Sequence, residues 1–244
     1  MMRLLVAIGV ALVAACGTGD GESAADCGPA GDGPTGRLDV VGITIGMPAQ
    51  AALAKIACAN SDLRPNWTTS LTDLSIRGPQ PRDSMWASDD EQSIRVTLAG
   101  PPGDERVVAV ERRLSFAGDK RPVVDRLVRQ LDEKYGAMSP MPPIGTGHRR
   151  GIARDAGDRP LPVDFVSRCS TVIVEHLQNC GPIVVATIDT DGNNDRLVRT
   201  LTVAVEHHRY AAQRRAEWQS ISRAARQRRE QMEVNEAQER TPQL

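Results

Sequence analysis

Oxygen-bearing side chains recur at alternate positions in Asp189-Thr190-Asp191-Gly192-Asn193-Asn194-Asp195. Calcium loops gather hard ligands with this spacing, so Asp189, Asp191, Asn193 and Asp195 are candidate calcium ligands. Two parts of such a loop are missing. Asn194 stands where its glycine belongs, and Thr200 stands where a bidentate glutamate would close the shell. A hairpin connection between Ile188 and Leu197 asks for the same Asp, Gly and Asn residues, and this is the preferred reading. The basic group His148, Arg149, Arg150 and Arg154 could meet lipid headgroups or a glycan, although a solvated basic loop is the commoner outcome. His176, His207 and His208 invite a metal, but neighbours on a strand point to opposite faces, so His207 and His208 could not share one ion while extended. The sequence has no Gly-x-Ser-x-Gly elbow, no His-Glu-x-x-His pair and no phosphate-cradling glycine loop. No catalytic residue, metal or cofactor is assigned, and the chain leans away from being an enzyme.

The N-terminal run MMRLLVAIGVALVAAC carries one early charge, Arg3, then an apolar stretch from Leu4 to Ala15, and it reaches small residues before Cys16. The stretch is shorter than the ~20 residues that cross a bilayer as a helix, so it reads as an export signal. Val13-Ala14-Ala15-Cys16 resembles the lipobox of bacterial lipoproteins. The resemblance implies cleavage before Cys16, acyl chains on its sulfur and amine, and a membrane as partner. Gly17 replaces the Asp that would mark inner-membrane retention in enteric bacteria, which leans toward the outer membrane, facing the periplasm.

Export changes what the cysteines mean. With Cys16 lipidated, Cys27, Cys58, Cys169 and Cys180 remain, an even number in an oxidising compartment. Three connectivities are open. Cys169 and Cys180 flank an apolar stretch and a turn, which makes them the favoured pair, and Cys27 with Cys58 then follows by elimination. No close CxxC spacing exists for zinc. Charge is balanced, with 30 basic against 31 acidic side chains, and only two Phe, two Tyr and three Trp occur. Neither feature suits a nucleic-acid partner.

The elements that would hold these residues begin after a tether. Residues 16–37 are rich in Gly, Asp, Ala and Pro and cannot bury a core; their root-mean-square reach is about 25 Å. Val41, Ile43 and Ile45 then alternate as in a short strand, and Pro48 opens a helix with Ala49, Ala52, Leu53, Ile56 and Ala57 on one face. This Gly-Ile-x-Ile-Gly-Met-Pro turn and its Ala-rich helix resemble a motif of small envelope lipoproteins of the SmpA/OmlA type. It also resembles one in uncharacterised exported proteins with a cysteine late in the helix, as Cys58 is here. A short strand is expected over 71–76 and a loop over 78–90. A hairpin follows, with Ile94, Val96 and Leu98 opposite Val108, Val110, Leu114 and Phe116, and with Arg112 breaking the apolar face. A second helix runs from Pro122 with Val124, Leu127, Val128, Leu131 and Tyr135 as its stripe and Gly136 as its cap. Residues 137–170 lose all pattern among five prolines. Strands are expected over 171–177, 183–188 and 197–205, and a highly charged helix closes the chain, with only Trp218, Ile221, Ala225 and Met232 as a sparse seam.

The expected fold is α+β: two loosely repeated helix-plus-antiparallel-sheet halves, or one continuous sheet with helices on one face, and a charged C-terminal helix. Its divisions are 1–15 signal, 16–37 tether, 38–136 first half, 137–170 irregular loop, 171–206 second sheet and 207–244 tail. The expected role is a non-catalytic envelope lipoprotein that binds or supports an envelope protein. The alternative is an exported hydrolase or glycan-active enzyme with its site under the 137–168 loop.

Overall fold

The structure is a computed structural model that describes residues 38–69, 80–143, 147–169 and 180–239. The expected signal, tether, Cys16, Cys27, His176 and the strands over 71–76 and 171–177 lie outside them.

A tight hairpin, β1 (Asp39–Val40) and β2 (Ile43–Thr44), comes first, then α1 (Ala49–Ala59). Four strands follow: β3 (Asn66–Thr69), β4 (Arg82–Ser88), β5 (Gln92–Ala99) and β6 (Arg106–Ser115). The second half repeats the order with α2 (Val124–Tyr135), β7 (Ser139–Met141), β8 (His148–Ala153), a short α3 (Val163–Cys169), β9 (Ile183–Asp191) and β10 (Asn194–Glu206). The chain then turns into α4 (His208–Glu239).

The two expected halves share one continuous sheet, but its helices are not confined to one face: α1 and α2 cover one side, and α3 and α4 lie on the other. β3 to β10 form one eight-stranded antiparallel sheet in the order β3-β4-β5-β6-β10-β9-β8-β7. Each half is a helix followed by a four-strand meander, and the halves join through their last strands, paired from Thr200↔Ser115 to Glu206↔Ala109. α1 packs on β5 and β6, and α2 on β9 and β10, so each helix covers the last two strands of its own half. Their buried stripes, Ala52 and Ile56 on α1 and Leu127, Leu131 and Tyr135 on α2, enter one core with Val96, Val110, Val203, Ala186 and Ile188. The helix starts and stops read from sequence are in place. Pro48 precedes α1, and Gly136 closes α2 at φ 93.

Four differences have local causes. The single strand expected through Val41 is a hairpin whose turn residues Val41 and Gly42 both have positive φ, 49 and 76, with the Gly42 amide donating to the Asp39 carboxylate at 2.8 Å. The loop expected over 78–90 contains β4, whose core side chains are only Met85 and Ala87. A register shift between Thr97 and Leu98 sends Val107 and Val110 into the main core while Val108 packs with Ala99 and Ala211 on the opposite face. Residues 137–170, expected to be irregular, hold β7, β8 and α3. Pro140 sits on the edge strand β7, where a missing amide hydrogen is tolerated.

α4 begins in contact with the sheet and is largely exposed toward its end. Ala211 packs against Ala99 and Val108, and Arg214 donates to the Asp104 carbonyl and carboxylate at 2.6 and 2.8 Å. Beyond Ser222 every described residue is exposed except the half-buried Arg229. Deleting 227–244 should therefore change unfolding stability by less than about 0.5 kcal/mol, as substitutions of exposed residues do. Urea denaturation of the full and shortened chains checks this, and a loss above 1 kcal/mol would mean that the tail packs elsewhere.

Candidate functional site

Two helices pack on the sheet face turned away from the main core, one at the β7 edge and one on central strands. α3 packs on β7 and β8, and α4 on β5 and β6. On the part of this face that they leave uncovered, the strand register lays out an open floor. One lateral row runs Trp86, Arg95, Glu111, Ala204, Val185, and the next runs Ser93, Arg113, Thr202, Thr187, Arg149. These positions follow from strand alternation, because Met85, Ile94, Val96, Val110, Val203 and Ala186 fill the core on the other side. Trp86 is 45% exposed. Arg95 and Arg113 are exposed, Arg149 is half-buried, and none of the three has a carboxylate partner among the described residues.

Where α4 leaves this face, it bounds a hollow of about 710 Å³ against β4 and β5. Its walls carry Arg82, Arg215, Arg223, Arg226 and Trp218 and a single carboxylate, Asp83. Ser222 lies in it with its hydroxyl buried and unbonded, so no base is in contact to make it a nucleophile. A second hollow of about 360 Å³ holds Asp104 and Glu105. Both carboxylates are occupied. Glu105 accepts the backbone amides of Arg82 and Gly103 at 3.1 and 3.0 Å, tying the β5–β6 turn to the start of β4. Hydrogen bonds from Arg214 and Arg106 push the Asp104 carboxyl below its ordinary range, the wrong direction for a general acid. Neither hollow is lined by any residue of 137–168.

The candidates read from sequence take separate places. Asp191 ends β9, Asn194 begins β10, and Gly192-Asn193 is the two-residue turn between them, so 189–195 is a hairpin. The Asp191 carboxylate is taken by the Asn193 amide at 2.9 Å and by the Arg121 guanidinium; the amide bond is the larger cause of its depressed pKa. Asn193 and Asp195 are exposed, and no cluster of metal-ligating side chains occurs among the described residues. The basic group is no loop. It lies on and just after β8, where Arg150 donates to the Met138 carbonyl and Arg154 to the Tyr135 carbonyl at 3.4 Å, binding the C-terminal end of α2, where helical carbonyls attract cations. Cys169 and Cys180 are bridged, joining α3 to the start of β9. Cys58 is also disulfide-bonded. Its expected partner Cys27 is outside the described residues.

His207 and His208 part company, as expected, for a different reason: the strand has ended. His208 meets Glu206 at 2.8 Å, while the His207 ring caps α4, accepting the Tyr210 amide at 3.4 Å. Burial, with smaller repulsion from Arg209 and His208, lowers the His207 pKa from 6.5 to about 4. A group whose folded pKa is depressed binds its proton more readily when unfolded, so its contribution is full above pH 6.5 and is lost as pH falls toward 4. Allowing for its partial exposure, this is worth roughly 2 kcal/mol. His207→Asn keeps a cap and should lose about that much less stability than the parent between pH 7 and pH 4.5; equal losses in urea titrations would refute the assignment.

Compared with family models, with curated proteins and with solved structures, the chain finds no match. No helix among the described residues is long and apolar enough to cross a membrane.

The open floor was missed from sequence. The signal was there in weak form: Arg95, Glu111, Arg113, Thr202 and Thr187 alternate with core residues, but polar outward positions are the default on any half-buried strand.

Proposed function

We propose that the protein is a lipid-anchored envelope module, non-catalytic, that binds a folded protein presenting an acidic patch to the open floor. The lipobox-like leader supports the anchor, acyl chains at Cys16 supplying ~0.8 kcal/mol per buried methylene, and two chains suffice to hold it. The observation that carries the binding reading is the floor itself. An exposed tryptophan beside Arg95, Arg113 and Arg149, which outnumber the one carboxylate among them, Glu111, is the residue chemistry of interface anchors. The hollow beside α4 extends the same sign of charge.

Photo-cross-linking in the native envelope tests it, with the reactive residue at Trp86 or Arg113 and, as control, at Glu133 on α2. Adducts should come from the floor alone and fall at least tenfold in an Arg95→Glu, Arg113→Glu double variant whose melting temperature is unchanged. Both side chains are exposed, so the fold should tolerate the change. Equal adducts from floor and control, or adducts indifferent to charge reversal, would end this reading.

A further inference from the structure

The arginine that interrupts the apolar pattern of β6 faces the helix side of the sheet. Arg112 pairs laterally with Ile94 and Val203, both core residues, and is half-buried among them. Among the described residues its hydrogen-bond acceptor is the neutral Gln92 amide oxygen, reached at 3.1 Å from Nε and 2.7 Å from Nη2. No carboxylate among the described residues hydrogen-bonds to it; burial lowers its pKa, opposed by the smaller electrostatic effects of Tyr135 and of Asp89, which bonds the same Gln92. A guanidinium taken partly out of water, with its nearest carboxylate acting only through a neutral amide, still gains from an anion that bonds it directly.

Arg112 opens onto a crevice of about 180 Å³ between α2, β6, β10 and the β1–β2 turn. The other walls are chiefly apolar, with Val40, Leu114, Leu127, Leu131 and Val203 prominent, and no carboxylate lines it. Lys134 stands at the same crevice, its amine 3.3 Å from Asp39 and over the Tyr135 ring. The Tyr135 hydroxyl is already spent on the Asp39 carbonyl at 3.0 Å, so the polar character left in the crevice is cationic apart from Gln130.

We infer that this crevice binds a short amphiphile with one anionic head, a carboxylate or a phosphate monoester, its head on Arg112 and its chain against the leucines of α2 and β10. At roughly 30 Å³ per heavy atom the space holds about six, a carboxylate head and the first few carbons, with the rest of a hexyl chain lying along the open mouth. The site is independent of the open floor, since it lies on the opposite face of the sheet.

The test uses the full chain carrying Cys16→Ser, without detergent, titrated by calorimetry with hexanoate, hexyl phosphate, hexanol and hexylamine. Hexanoate or hexyl phosphate should bind at least tenfold more tightly than hexanol, and hexylamine should not bind; whichever anion binds names the head. Arg112→Gln should erase the advantage of the anions, and Val203→Phe, which fills the crevice and keeps the cation, should abolish binding. Binding of hexanol equal to that of the anions, anion binding that survives Arg112→Gln, or no heat from either anion at ten millimolar would each overturn the inference.

Discussion

Ala204→Pro should destabilise the whole domain by about 3 kcal/mol or more, in a single unfolding transition. Ala204 sits in β10, paired with Glu111 of β6 on one side and Val185 of β9 on the other, so its amide is committed to the ladder whichever neighbour it serves. Its side chain points to the open floor, away from the core, so the change removes a hydrogen bond and imposes the proline ring without opening a cavity. Ala204→Ser is the control, expected within about 0.5 kcal/mol of the parent. The single transition follows from the shared core. α1 and α2 belong to different halves, yet Ile56 and Leu131 are buried in one continuous cluster with strands of both. Calorimetry showing two resolved melts in Ala204→Pro would mean that each half is stable alone and the seam is merely a contact.

Helices were the most legible part of this chain, because their signals are local. Pro48 and Pro122 mark entries, Gly136 marks an exit, and the spacing of Leu127, Leu131 and Tyr135 fixes the buried stripe without reference to anything else. Strands were legible where alternation ran long, as in β5 and β10. They were not where a strand is short or small-sided: β4 offers Met85 and Ala87, and β7 is three residues with a proline, each defined by its partner strand more than by its own pattern. Bulges also hide from sequence. The shift at Thr97 puts Val108 and Val110 on opposite faces, so an alternation counted forward from Val108 goes wrong by one.

The site was harder to read for a different reason. Arg112 could be seen as a break in an apolar face, but whether a carboxylate faced it depended on strands and helices far along the chain. Arg150 and Arg154 showed the converse: a basic cluster that looked solvated is bound at the end of α2, Arg154 to the Tyr135 carbonyl and Arg150 to the Asp132 carboxylate and to the Met138 carbonyl just beyond the helix. The calcium-like spacing dissolved once Gly192-Asn193 became a two-residue turn, since the ligand pattern and the turn pattern use the same residues.

Removing the Cys169–Cys180 bridge should cost about 3 kcal/mol, the loop-closure entropy expected for a sequence separation of 11. The packing around it argues that the loss will be felt in full. α3 is seven residues long and buries only Val166 and Cys169, in a satellite cluster with Met141, Ala153 and Ile183 rather than in the main core. A helix that short has little stability of its own, so its place on β7 and β8 rests on this cluster and the covalent link. Gly151 lets α3 approach closely: a Cβ there would stand 2.8 Å from Val166, so the cluster cannot be thickened to compensate. The Cys169→Ala, Cys180→Ala double variant, compared with the parent in urea without reductant, should show the drop; hydrogen exchange should place the earliest opening at α3 and the edge strand β7. Stability within 1 kcal/mol of the parent would mean that Val166 and its neighbours hold α3 unaided, and the bridge would then be a consequence of the fold instead of one of its supports.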